Sequence, residues 1–373
     1  MSKPRILIIE NSIDVTGALK SITKAAFDLK ADYDFQFVVP SGSRGKYLLR
    51  ERGFQPIHEL PMKEISRRFL SMILYLPYLI VNTIRLKKII RRNQISIIHV
   101  NDLYNLLPVM LHLSGTKIPY VCHIRFLPDR FPPWLFNFWL RLHFRYASRI
   151  VAVSHSVSKM LPEHPKFVVI HNELPIEERF PDYSNTSKAN ETFLYLSNFM
   201  DGKGQNFALK AFAKVHEQLP SWKLRFVGGD MGLQKNKTYR SQLQQLAKSL
   251  GIAEKIEWSE FTEVVEIEYK LADIVLNFSE SESFSITCVE ALFFGKPLIA
   301  TDCGGPAEII DHGESGILVE NRNLNAMSEA MLLLAQNKEL RDKFSIEGKK
   351  RSRNRFSIER TSYRLRDIYN SIR

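Results

Sequence analysis

Glu282 and Glu290 bracket an uncharged run, and a helix start falls between them in "SESFSITCVEALFFGKP". A surface helix scatters charge around its circumference, and a core helix carries none. Carboxylates on both sides of one helix start therefore point into a cleft. The helix is expected to begin near Phe284–Ser285, with serine as its cap. Glu290 lies more than one turn inside, where a carboxylate can accept two hydrogen bonds from a vicinal diol such as a ribose. Glu282 precedes the helix and can reach a bound sugar. Its alternative use is to stabilise the helix dipole, worth about 0.3–1 kcal/mol. In "SNFMDGKGQNFALKAF" (Ser197–Phe212), Gly202 and Gly204 permit a tight turn and Lys203 sits on it. An ammonium beside free N–H groups at a helix start suits a phosphate, although a plain glycine turn with a solvated lysine is an equal reading. "TDCGGPAEII" (Thr301–Ile310) adds a third loop in which paired glycines let the backbone approach a ligand.

Each of these loops follows a short apolar run, and such runs alternate with helical segments along the chain. In the first half the expected strands are Arg5–Glu10, Phe35–Val39, Ile95–Val100, Pro119–Ile124, Arg149–Val153 and Lys166–Ile170. In the second half they are Thr192–Leu196, Trp222–Gly229, Lys255–Trp258, Asp273–Phe278, Lys296–Asp302 and Gly316–Val319. Gly17–Leu29, Ile65–Arg92 and Leu103–Leu113 read as helices. Apolar strands separated by helices form parallel sheets covered on both faces. The polar segment Asn172–Glu191, with its two prolines, reads as an interdomain linker. The fold class is thus α/β, with two tandem Rossmann-like, doubly wound domains facing an interdomain cleft. Such sheets bind ligands beyond the carboxyl ends of their strands.

Charge is uneven over the 373 residues. Residues 1–180 hold 26 Lys+Arg against 14 Asp+Glu, which accounts for the whole net charge of +12. A basic half points to an anionic surface. With no RNP-type, zinc-finger or helix-turn-helix pattern, a nucleic-acid partner is not expected. Two segments carry the excess. Arg67–Arg92 is apolar in the middle and basic at both ends, too short to span a bilayer and interrupted by Pro77. Arg130–Arg149 mixes Trp134, Trp139 and other aromatics with arginine and histidine. Both can cover the first sheet, dock on anionic headgroups, or do each with a different face. Cys122, Cys288 and Cys303 are too few and scattered for a disulfide framework or zinc site and read as buried thiols. The start, "MSKPRILIIE", runs straight into a strand pattern without a secretory signal. The expected location is cytoplasmic, peripheral on the inner face of the cytoplasmic membrane.

Taken together, these segments resemble the GT-B glycosyltransferases of family 4, over nearly the whole chain. The family's E-x7-E pair appears as Glu282 and Glu290, its "KG" turn as Lys203–Gly204, and its "GG-x-x-E" segment as Gly304–Glu308. "G-x-x-G-x-L-V" is Gly313–Val319, and Ile97–Asp102, Val121–Arg125 and Val151–Leu161 resemble the first domain's strand ends. The resemblance implies an acceptor-binding domain over 1–175, a nucleotide-sugar domain over 176–354 and a C-terminal helix, 355–373, returning toward the first. It implies a retaining hexosyl transfer from a UDP- or GDP-sugar to a lipid-linked or polysaccharide acceptor in cell-surface glycan synthesis. Lys203 would neutralise the diphosphate, and Glu290 would hold the ribose. Ser285, Ile286 and Thr287 would offer backbone N–H groups or small contacts, and Glu282 and His123 would lie by the transferring sugar. Gly17 would belong to the first-domain donor loop. No cofactor and no metal are required.

The chain departs from the pattern where the family carries an arginine before the lysine. Ser197–Asn198 occupies that region, so Asn198 can donate a hydrogen bond but no charge. Thr16–Gly17 replaces a glycine pair, and His171-Asn172-Glu173 replaces Pro-Asn-Gly. The missing arginine keeps open a non-catalytic partner subunit of the same fold. A sugar-nucleotide epimerase is a further alternative, without clear acid–base residues. A glycosidase-type use of Glu282 and Glu290 is disfavoured, as is a dinucleotide oxidoreductase, since no G-x-G-x-x-G follows the first strand. "DYD" (Asp32–Asp34) mimics a metal motif but precedes a strand, and "SGSRGK" (Ser41–Lys46) reads as a turn rather than a P-loop.

Overall fold

The computed structural model describes residues 3–62, 69–172, 190–356 and 358–373. The chain divides into two compact units, Met1–Pro175 with Ile358–Arg373, and Ile176–Ser357. The expected linker lies almost wholly outside the described residues.

In the first unit, strands β1 (Arg5–Ile9), β2 (Asp34–Pro40), β3 (Ile57–Leu60), β4 (Ile97–Val100), β5 (Tyr120–Ile124), β6 (Arg149–Ala152) and β7 (Phe167–Val169) form one sheet. The order is β3-β2-β1-β4-β5-β6-β7, with every pairing parallel. Helices α1 (Gly17–Asp28), α2 (Gly45–Glu51), α3 (Phe69–Asn93), α4 (Leu107–Leu113), α5 (Pro133–Tyr146) and α6 (His155–Lys159) connect them. The side chains of Ile6, Leu7, Ile8 and Ile9 are all inaccessible, as a sheet covered on both faces demands. Thr16 caps α1 by accepting the Leu19 N–H at 3.2 Å.

The second unit repeats the plan with β8 (Thr192–Leu196), β9 (Lys223–Val227), β10 (Ile256–Ser259), β11 (Ile274–Asn277), β12 (Leu298–Thr301) and β13 (Ile317–Val319). Its order is β10-β9-β8-β11-β12-β13, again all parallel. Its helices are α7 (Gln205–Val215), α8 (Gln234–Ser249), α9 (Val265–Leu271), α10 (Ile286–Phe293), α11 (Gly305–Ile309), α12 (Leu324–Gln336) and α13 (Lys338–Arg355). The last helix, α14 (Ile358–Ser371), belongs to the first unit. Leu365, Ile368 and Tyr369 are buried there in one cluster with Ile6, Ile8, Ala25 and Phe35.

Helix α3 sorts its residues by face. Leu79, Asn82, Thr83, Leu86 and Ile90 are buried, whereas Leu76, Ile80, Val81 and Ile84 stay exposed. Helix α5 likewise buries Leu135, Phe136, Trp139 and Leu140 and exposes Trp134 and Phe138. Among the described residues no helix is long and apolar enough to cross a membrane. Cys122 and Cys288 are buried thiols, but Cys303, in the loop after β12, is partly exposed. Strand β3 was not expected. It sits at the sheet edge with one partner, so exposed Glu59 and half-buried His58, its Nε2 3.2 Å from Gln36 Oε1, can break the apolar run that marks the inner strands.

His143 on α5 is wholly buried. Its Nε2–H donates to the Leu103 carbonyl at 2.8 Å, leaving Nδ1, 3.1 Å from the Tyr120 hydroxyl, as the acceptor. Burial outweighs the carbonyl bond and lowers its pKa to about 4. The unfolded chain therefore binds a proton below the ordinary value of 6.5 that the folded chain refuses. This contribution is complete above pH 6.5 and is lost as pH falls toward 4. Urea midpoints are expected to drop between pH 7 and pH 5, with a shallower slope in His143→Gln. Equal slopes in the two proteins would contradict the assignment.

Candidate functional site

Both sheets reverse strand order once, and polar residues gather at each reversal. In the second unit the reversal lies between β8 and β11, whose following loops carry Lys203 and Glu282. Lys203 Nζ lies 2.7 Å from Glu282 Oε1, with both side chains largely withdrawn from solvent. The Ser279 hydroxyl donates to the same oxygen at 2.9 Å. Backbone bonds tie Glu282 to the loop after β12: its N–H donates to the Cys303 carbonyl at 3.1 Å, and Gly305 N–H donates to its carbonyl at 2.7 Å. One residue thus joins the loops after β8, β11 and β12. Tyr195 seals the join from beneath. Its hydroxyl donates to the Lys203 carbonyl at 2.5 Å and accepts the Phe278 N–H at 2.7 Å.

Helix α10 starts beside this pair. Ser285 stands at the expected cap position, but its side chain caps nothing. The serine adopts left-handed φ 78° and ψ 86°, a cost that persists only where the surroundings enforce it. Those surroundings are Asn277, whose amide donates to Ser285 Oγ at 2.9 Å and reaches Thr287 Oγ1 at 3.3 Å. The start of α10, at Ile286 and Thr287, therefore keeps its N–H groups free of a side-chain cap. Glu290 is buried one turn deeper, with the Tyr269 hydroxyl 3.0 Å from its Oε2. Burial and the facing Glu290 carboxylate raise that tyrosine's pKa, so it stays a neutral donor. Asn198 is not a loose donor. Its Oδ1 accepts the Gly229 N–H at 3.2 Å and braces the loop after β8 against the loop after β9.

In the first unit the reversal lies between β1 and β4. Glu10, at the end of β1, accepts the N–H groups of Asn11 and Ser12 at 2.9 Å and also the Asn101 side-chain amide. Arg125, just past β5, donates Nε to Asn101 Oδ1 at 2.6 Å and a terminal nitrogen to Asn172. Asp102 is buried here, and burial with the nearby Glu10 charge raises its pKa to about 7. His123, on β5, is buried and neutral, its pKa pushed well down by burial and then by Arg125. Gly17 forms the first turn of α1 in this unit.

Lys203, Glu282, Ser285, Ile286, Thr287 and Glu290 thus gather at one end of the second sheet, with Asn198 behind the turn, while Gly17 and His123 lie in the other unit. Tyr195, Tyr269, Asn277 and Ser279 were not anticipated. Asn277 and Ser279 did leave a signal, as polar residues closing the apolar strand "DIVLNF". The decoys have structural partners: Asp34 pairs with Arg5 at 3.3 Å, Asp32 with Arg366 at 3.9 Å, and Lys46 with Glu59 at 3.2 Å.

The "KG" turn depends on glycine for two reasons. Gly204 has φ 78°, and a Cβ there would lie 1.9 Å from the Phe278 carbonyl oxygen. Gly202 has φ 83°, but a Cβ there would meet nothing within 4 Å. Gly202→Ala is expected to cost about 1–2 kcal/mol of unfolding free energy, the left-handed penalty alone. Gly204→Ala should cost roughly twice that or more, because rigid backbone must move. Equal losses in chemical denaturation would mean that the loops are not locked at this contact.

A family model for "Glycosyl transferases group 1" matches residues 177–351. A second, "Glycosyltransferase Family 4", matches residues 29–177. An uncharacterised glycosyltransferase of Haemophilus influenzae is 29% identical over 152 residues, 40% of this chain and 41% of its own. A D-inositol 3-phosphate glycosyltransferase of Corynebacterium glutamicum is 31% identical over 174 residues, 45% of this chain and 40% of its own. The chain thus spans well under two thirds of these relatives. The crystal structure of HepE from Anabaena in complex with UDP and glucose superposes with a TM-score of 0.81 at 18% identity, covering 98% of this chain and 99% of that one. With two family models spanning residues 29–351 between them and two parallel Rossmann-like sheets beneath, the chain belongs to the GT-B glycosyltransferases of the family-4 type.

Proposed function

We propose that the chain is a retaining hexosyltransferase that takes a UDP- or GDP-sugar and delivers its sugar to a lipid-linked or polysaccharide acceptor in cell-surface glycan synthesis. The observation that carries this reading is the Lys203–Glu282 pair, 2.7 Å apart at the strand-order reversal beside the uncapped start of α10. A diphosphate placed there meets one ammonium and a helix N-terminus. The HepE complexes with UDP and with UDP-glucose support a nucleotide-sugar donor.

In this reading Lys203 and the N–H groups of Ser285, Ile286 and Thr287 offset the charge that grows on the leaving diphosphate. Glu290 accepts from the ribose hydroxyls. Glu282, already joined to Lys203, contacts the sugar, and His123 and Gly17 are the first unit's contributions. The bond from the anomeric carbon to the diphosphate oxygen breaks, and the acceptor oxygen bonds to that carbon on the same face. The acceptor's proton passes to the departing phosphate oxygen, so no enzyme base is required. Lys203 and the helix start supply the positive charge, so no metal is required, and turnover should survive a chelator.

A non-catalytic subunit is the second reading. It is favoured by Asn198, whose side chain is a strut where the family carries a cation. Thermal shifts with UDP-, GDP- and ADP-sugars, followed by donor hydrolysis, separate the two. The matching donor should raise the melting temperature by a few degrees at saturation. Glu290→Ala should abolish that shift. His123→Ala should keep the shift and lose roughly 10²-fold or more in turnover. A wild-type chain that binds donor without hydrolysing or transferring it would favour the silent subunit. A normal shift in Glu290→Ala would remove that residue from the donor site.

The acceptor side is proposed to rest on anionic lipid. Leu76, Ile80 and Ile84 recur at helical spacing on the open face of α3, with Arg85, Lys88, Arg91 and Arg92 exposed near its C-terminal end. An aliphatic stripe with a basic end fits a headgroup layer. The wild-type chain should co-sediment with phosphatidylglycerol vesicles at low salt, and less at high salt. The double variant Ile80→Glu, Ile84→Glu should lower that partitioning roughly tenfold or more. Equal sedimentation of the two proteins would exclude this face.

A further inference from the structure

The buried end of the first sheet holds a hydrogen-bond chain that begins on α14. The Tyr369 hydroxyl lies 2.6 Å from His99 Nδ1, and His99 Nε2 lies 2.9 Å from His123 Nδ1. Arg125 closes the chain, with a guanidinium nitrogen 3.2 Å from the same His123 Nδ1. Tyr369, His99 and His123 are each at most 3% exposed. The remaining ring nitrogen, His123 Nε2, is buried without a hydrogen-bond partner.

Each imidazole link could run either way on its own. Arg125 fixes the direction, because a guanidinium donates and never accepts. His123 Nδ1 must then be an acceptor, and a neutral His123 carries its proton on Nε2. Facing that lone pair, His99 Nε2 must donate, which makes His99 Nδ1 the acceptor of the Tyr369 proton. Burial, followed by the Arg125 charge, lowers the His99 pKa to about 3, so its ring is neutral as the chain requires.

We propose that Tyr369 is a positioning residue that holds His99 from one end of the chain while Arg125 donates at the other, so that the two together keep His123 as the Nε2–H tautomer with that proton presented to the substrate. This rests on His123 serving the transfer reaction proposed above. The helix that follows the second unit thereby sets the orientation of a group on β5 in the first.

Imidazole nitrogen spectra of ¹⁵N-histidine-labelled protein test the chain without substrate. Wild-type His99 and His123 should both show protonated Nε2 and bare Nδ1. Tyr369→Phe keeps the ring and removes only the hydroxyl, and should shift His99 toward a mixture of tautomers. Its kcat should fall roughly tenfold, the worth of one hydrogen bond, with KM for the donor unchanged. Tyr33→Phe is the control. The Tyr33 hydroxyl ties the same helix through Asn370 at 2.7 Å but touches neither histidine. It should leave the spectrum and kcat alone. The proposal fails if wild-type His123 carries its proton on Nδ1. It also fails if Tyr369→Phe matches wild type, or if Tyr33→Phe produces the same change. A wild-type Nε2–H pattern in a protein that transfers no sugar would overturn the function and leave the chain standing.

Discussion

The ion pair between Lys203 and Glu282 bridges the two strands at which the second sheet reverses its order. Helices leaving β8 and β11 diverge, so the loops between them open a crevice that parallel pairing alone cannot fill. Glu282 answers that geometry with its side chain toward one loop and its backbone toward another. Gly204 and Gly305 permit the approach, since a Cβ at either would strike backbone of the loop after β11. The uncapped start of α10 follows from the same crowding, because Ser285 is drawn to Asn277 instead of turning back on its own helix.

The first unit meets the same topology with a different chemistry. Its reversal is filled by Glu10, Asn101, Asp102 and Arg125, ionisable and amide groups that satisfy one another. A buried cation is tolerable only among such partners. The guanidinium of Arg125 does two things at once: it offsets the Glu10 and Asp102 charges, and it donates to His123 Nδ1 at the end of the chain opposite Tyr369.

Much of this was legible from residues alone. The inner strands announced themselves because burial on both faces leaves no room for polar alternation. The glycines, Lys203, Glu282 and Glu290 stood at strand ends where a parallel sheet places its ligands. Edge strand β3 was not legible, because one free side lets charge intrude. Ser285 had the right position for the wrong reason: cap preference describes a free helix start, and Asn277 had already taken the hydroxyl. The Tyr369 contact could not be read locally at all, since 270 positions separate it from His99.

That separation bears on synthesis. Residues 176–357 form a continuous stretch, whereas the other unit draws its final helix from beyond them. On a ribosome the first sheet emerges before the second unit and lacks Leu365, Ile368 and Tyr369 until residues 176–357 have been translated. The first sheet must carry an open apolar seam while the whole second unit is synthesised, so the unit begun ahead closes after the one that interrupts it.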